Sequence, residues 1–85
     1  MKIYDFGGQK NICGSNIKDT RLLRRLTQSD LAARVQLAGV LLERDSISRI
    51  EIGTRFVADY ELVVFARVLG VSVQSLLYGF DESPV

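Results

Sequence analysis

From Asn16 onward no stretch of this chain runs far before a glycine interrupts it: Gly39, Gly53, Gly70 and Gly79 divide residues 16–79 into short blocks. Within each block the apolar residues recur at helical rather than alternating spacing, so the blocks read as short helices stopped by glycine. The first places Ile17, Thr20 and Leu23 on one side and Lys18, Arg21 and Arg25 on others, and ends near Arg25. Thr27-Gln28-Ser29-Asp30 is a capping box, in which the Thr27 hydroxyl accepts from the amide three residues on and the Asp30 carboxylate reaches back. A second helix therefore starts at Gln28 and buries Leu31, Val35 and Ala38. Leu62, Phe65, Ala66 and Leu69 follow the i, i+3, i+4, i+7 template behind Asp59 and Glu61, whose charges suit a helix N-terminus. Ser72 caps a last helix carrying Val73, Leu76 and Leu77. With a short third helix before Gly53, the chain reads as five helices with no strand-length alternating run. Its 85 residues, 47% hydrophobic, suffice for one all-α domain with a small core.

The third helix has two unlike faces. In "ERDSISRIE", residues 43–51, Ile47 and Ile50 point one way while Arg44, Asp45, Ser48 and Arg49 point the other. If Glu43 precedes the first turn, Leu42 and Ile47 occupy the positions of a hydrophobic staple; Asp45 is the better capping residue, so the helix begins at Arg44 or at Ser46. Residues 1–15 carry Ile3, Tyr4, Phe6 and Ile12 around Gly7, Gly8 and Gly14, too much glycine for a helix and too much aromatic character for a free tail. They read as an extended N-terminal arm packed on the domain of residues 16–79, with residues 80–85 as a frayed C-terminal tail.

Charge is unevenly spread. Residues 16–57 hold eight Lys/Arg against five Asp/Glu, and residues 58–85 hold one against four, so a basic middle precedes an acidic end. That asymmetry suits a polyanion-facing surface. One cysteine, Cys13, and no histidine leave no disulfide framework and no Cys/His set for zinc; Cys13 reads as a small packed hydrophobe. Without histidine, or carboxylates paired in an apolar setting, the usual nucleophile and acid/base sets cannot be assembled, so neither enzyme nor cofactor is expected. "MKIYDFGGQK" lacks the apolar run of a signal peptide, no stretch approaches a membrane span, and the basic residues do not line an apolar helix. A cytoplasmic setting without membrane association is the expectation.

"LTQSDLAARV", then "SISRIEIGTR", then "LVVFARVLGVSVQSLL" together resemble the phage Cro and repressor type of helix-turn-helix, the XRE family of transcriptional regulators, over roughly residues 14–79. The resemblance implies a five-helix lambda-repressor-like domain whose second and third helices form the helix-turn-helix and whose third enters the DNA major groove. It assigns base contacts to Arg44, Asp45, Ser48 and Arg49, whose groups suit guanine, cytosine and mixed donor/acceptor edges. Phosphate contacts fall to Thr27, Gln28, Arg21, Thr54 and Arg55, although Thr27 reads as a cap before it reads as a contact. Arg21 and Glu51 match a supporting ion pair. Two positions depart from the pattern, Thr20 where an apolar residue is usual and Arg25 where glycine is common, and "QLAGVLL" lengthens the turn between helices 2 and 3, as in a subgroup with a longer second helix. The implied partner is double-stranded DNA, bound as a nucleoid-associated homodimeric repressor on a pseudo-palindromic operator, with Tyr78, Phe80 and the acidic C-terminal half as the first candidate for the dimer surface. The competing reading is an antitoxin or anti-repressor whose main partner is another protein.

Overall fold

The computed structural model describes residues 6–79, and these form five helices: α1 (Gly14–Leu23), α2 (Gln28–Leu37), α3 (Arg44–Glu51), α4 (Asp59–Leu69) and α5 (Val73–Tyr78). Ile3, Tyr4, Phe80 and the tail lie outside the described residues. α2 and α3 pack together, α1 lies against both α3 and α5, and α4 closes the core behind α2 and α5. Ile17, Leu31, Val35, Ile47, Ile50, Phe65 and Leu76 are wholly buried, with Leu42 and Leu69 nearly so.

The first four helices end alike. After α2, α3 and α4 the residue in the left-handed region is Gly39, Gly53 or Gly70, and the two amides that begin there bond back to the last turn: Gly39 to Gln36 O and Val40 to Val35 O, Gly53 to Ile50 O and Thr54 to Arg49 O, Gly70 to Arg67 O and Val71 to Ala66 O. This is the Schellman pairing, and glycine supplies its positive φ without a Cβ clash. α1 closes with the same pair, Arg25 N–H to Leu22 O and Leu26 N–H to Arg21 O, but places Arg25 at φ 57°. Arg25 is the sole non-glycine residue at positive φ among the described residues.

At the N-terminal ends, Thr27 and Asp30 form the capping box of α2 in both directions, at 3.0 and 2.9 Å. Ser72 Oγ accepts from Ser75 N–H at the start of α5. α3 starts at Arg44, and Glu43 makes no side-chain cap there; the staple of buried Leu42 and Ile47 fixes how the chain enters the helix.

Several expectations are revised. α1 starts at Gly14 rather than Asn16, because Asn11 Oδ1 accepts from Gly14 N–H at 2.7 Å and initiates the helix from outside it. Its inward face is Ile17, Thr20 and Arg21, whereas Leu23 is 69% exposed; Thr20 fits among apolar neighbours because its hydroxyl donates to Asn16 O at 2.7 Å. Ala38, at the end of α2, is exposed, and Ala32 takes the inner position instead. α2 stops at Leu37, and residues 38–43 form the connection to α3. From Phe6 on, the arm is not extended but reverses through Gly7-Gly8, with Phe6 and Gln9 exchanging backbone hydrogen bonds. Phe6 and Ile12 stay exposed, and the arm is held instead by buried Cys13 and by Lys10 N–H bonding Gly53 O at 2.8 Å. Burial pushes the Cys13 thiol above its ordinary pKa, as suits a packed apolar residue.

A non-glycine residue in the left-handed region costs about 1–2 kcal/mol. Arg25→Gly should therefore stabilise the domain by about 1 kcal/mol, offset in part by the greater freedom of glycine in the unfolded chain. Urea denaturation checks this, and a variant less stable than the parent would show that the Arg25 side chain contributes more than its backbone costs.

Candidate nucleic-acid interface

α3 is held from behind by one carboxylate. Glu51, at its last residue, accepts from Arg21 Nε at 2.6 Å on one oxygen and from Arg21 Nη2 at 3.1 Å and Gln28 Nε2 at 3.0 Å on the other. Arg21 spends a third donor, Nη1, on Leu26 O at 2.8 Å. α1, α2 and α3 thus meet at a buried bidentate pair whose side chains are 9% and 1% exposed. With so little of the Arg21 guanidinium at the surface, its place is in the scaffold joint more than on the face predicted for phosphate.

A second tie lies at the same end of α3. Asn11 Nδ2 donates to Ile50 O at 3.0 Å and to Arg55 O at 2.8 Å while its oxygen holds the Gly14 amide. α1 approaches α3 so closely there that a Cβ on Gly14 would stand 2.0 Å from Ile50 O. The sequence reading gave Asn11 no role; an asparagine three residues ahead of Gly14 was the available local signal.

The opposite face of α3 is open. Arg44, Asp45 and Arg49 are exposed and Ser48 is half-buried. The structure brings these four onto one surface, with Ile47 and Ile50 turned inward. Arg44 and Asp45 approach to 3.8 Å, but both side chains are largely exposed, so this pair contributes little.

The other predicted contact residues fall into two groups. Thr27 and Gln28 stand at the N-terminal end of α2, with the Thr27 hydroxyl engaged as the cap and Gln28 shared with Glu51. Thr54 and Arg55 follow α3: Thr54 is exposed and its hydroxyl lies 3.3 Å from Arg49 O. Arg55 forms a fork with Glu61, Nη1 to Oε1 at 3.0 Å and Nη2 to Oε2 at 3.1 Å, and also donates to Phe56 O. That pairing was not foreseen, and it ties the loop after α3 to the first turn of α4. Beside it, Lys10 Nζ lies 5.1 Å from the centre of the Phe56 ring.

Burial raises the pKa of Glu61, but the hydrogen bonds from Arg55 and the Ala58 amide, with the Arg55 charge, outweigh it and leave the group below its ordinary value. The hydrogen bonds from the Thr27 amide and hydroxyl lower Asp30 likewise.

No protein-family model and no curated protein matches the chain. Among solved structures, it is similar to the crystal structure of the hypothetical transcription factor NHTF from Neisseria, with a TM-score of 0.70 and 22% sequence identity, over 91% of this chain and 83% of that one. The likeness shows the fold, a small all-helical one.

Two predictions follow from this geometry. Arg21→Met or Glu51→Leu alone strands a buried charge and should cost about 3–5 kcal/mol, while the double variant recovers much of the loss. A double-mutant cycle in urea measures it, and single costs below about 1 kcal/mol would remove the joint from its central place. For Glu61 the folded-state pKa is depressed, so its contribution is complete above the ordinary carboxylate value of roughly 4.3 and is lost as pH falls through the lower folded value. Stability measured from neutral pH down into that acid range should fall less steeply for Glu61→Gln than for the parent; equal slopes would contradict the depressed pKa.

Proposed function

We propose that this chain is a sequence-specific double-stranded DNA-binding regulator of the Cro/repressor helix-turn-helix type, with α2 and α3 as the helix-turn-helix and α3 in the major groove. The observation that carries the reading is α3 itself: a helix clamped from behind by the Arg21–Glu51–Gln28 joint, presenting Arg44, Asp45, Ser48 and Arg49 outward. The likeness to the fold of a hypothetical transcription factor and the basic middle of the chain support it. The Arg49 guanidinium makes no hydrogen bond within the described residues, so it is the group assigned to guanine O6 and N7, with Ser48 beside it; Arg44 and Asp45 read the groove ahead of them.

Phosphate contacts fall to Gln28, Thr54 and the amides at the positive end of α2, with Thr27 contributing as their cap. The exposed remainder of Arg55 adds positive charge beside them. Arg21 serves the scaffold. The protein acts as a homodimeric repressor on a pseudo-palindromic operator, its half-sites spaced about one helical turn, roughly 34 Å, apart. The reaction-bearing groups of an enzyme have no place in this reading.

Fluorescence anisotropy of the purified chain against duplexes tiling its own upstream region, with a scrambled control and several salt concentrations, tests it. One tile should bind tightly, and Arg49→Ala should weaken that tile by about 1–3 kcal/mol and flatten the preference. Weak, steeply salt-dependent binding that is equal on every duplex would reduce the interaction to backbone attraction and turn attention to a protein partner such as a toxin.

A further inference from the structure

The connection between α2 and α3 carries a feature that the helix-turn-helix reading leaves unused. Leu41 is 89% exposed, yet it does not sit on a loose loop. Leu42 N–H bonds Val40 O at 3.0 Å, so Leu41 is the apex of a one-residue γ-turn. Both neighbours are anchors: Leu42 is 2% exposed and Val40 packs against the core. Val40 N–H also closes the end of α2 on Val35 O, and Gln36 Nε2 spans the loop to Leu42 O at 2.8 Å. A leucine is therefore held in water at the tip of a braced turn, immediately ahead of α3. Leu42 turns inward to meet Ile47 in the staple, while Leu41 stays in solvent three residues ahead of Arg44, where α3 begins.

We infer that Leu41 is a specificity-determining residue that contacts the C5-methyl group of a thymine at the edge of the site read by α3. This rests on the DNA-binding reading above. The C5-methyl is the one apolar group a base pair presents in the major groove, and an apolar side chain is what recognises it. Charge does not explain the position, because Glu43 and Asp45 offset Arg44 at this end of α3 and leave phosphate attraction weak. A protein partner is a poorer fit. A stable interface buries about 800 Å² per partner, far more than the Leu41 side chain offers, even with Leu37 exposed at the end of α2.

The experiment uses a duplex selected from a random library by the parent chain, with each thymine replaced in turn by uracil, which lacks only the methyl group. Anisotropy should find one thymine, at the outer edge of the half-site, where uracil weakens the parent by about fourfold, the value of one buried methyl-sized group. Leu41→Ala should bind the thymine duplex about that much more weakly and treat thymine and uracil alike. Leu23→Ala, an exposed leucine on α1, should keep the discrimination. If Leu41→Ala retains the full preference for thymine, or no uracil substitution matters, the assignment to Leu41 is overturned while sequence-specific binding stands. If the library yields no selected duplex at all, the DNA-binding reading fails and this inference with it.

Discussion

One carboxylate at the C-terminal end of α3 decides how the first three helices sit. Glu51 takes both arms of Arg21 from α1 and the amide of half-buried Gln28 from α2, and the Arg21 and Glu51 side chains are almost wholly shielded from bulk water. Removing charges from water is costly, and such a pair holds only where geometry and further hydrogen bonds satisfy every donor and acceptor. Here they do: Arg21 also caps Leu26 O, and no buried side-chain polar atom among the described residues lacks a partner. The joint specifies one arrangement of α1, α2 and α3, because sliding any of them would leave a buried charge unpaired.

The close approach of Gly14 to Ile50 O acts with this joint. An apolar interface tolerates small shifts, since the hydrophobic effect has no direction. The Asn11 clamp and the Gly14 contact have direction, and they fix the end of α3 against the start of α1 where the apolar core alone would leave freedom. The base-reading role proposed for α3 would need this, because hydrogen bonds to base edges fail with displacements of well under an ångström. The Arg55–Glu61 fork extends the same control to the loop after α3.

What the sequence reveals and conceals follows from distance along the chain. The capping box of Thr27 and Asp30 and the stops at Gly39, Gly53 and Gly70 act within a few residues, so they are legible as written. The staple of Leu42 and Ile47 is equally local, but it competes on paper with the better capping chemistry of Asp45, and only packing decides for Arg44 as the start. Leu23 and Arg21 illustrate the harder case. Hydrophobicity places the leucine inside and the arginine outside, whereas the partner that reverses the order, Glu51, lies 30 residues away. Asn11 is hidden for the same reason, since Ile50 and Arg55 are 39 and 44 residues distant. The outward face of α3 was legible from helical period alone, because Ile47 and Ile50 fix which way the rest must point.

The division of labour among the charged residues has a consequence for how such a domain can change. Arg21, Glu51, Arg55 and Glu61 are engaged with one another in pairs and bind the scaffold together. Arg49 and Ser48 make no side-chain hydrogen bond within the described residues, and the contact between Arg44 and Asp45 is exposed and long. Substitution on the outer face of α3 therefore removes little that holds the fold, since surface changes away from caps and buried pairs shift stability by about 0.5 kcal/mol or less. Substitution in the joint alters the fold before it alters any recognition. A surface freed in this way from structural duty can be rewritten residue by residue while the five helices stay in place, which is the physical condition for one fold to serve many binding preferences.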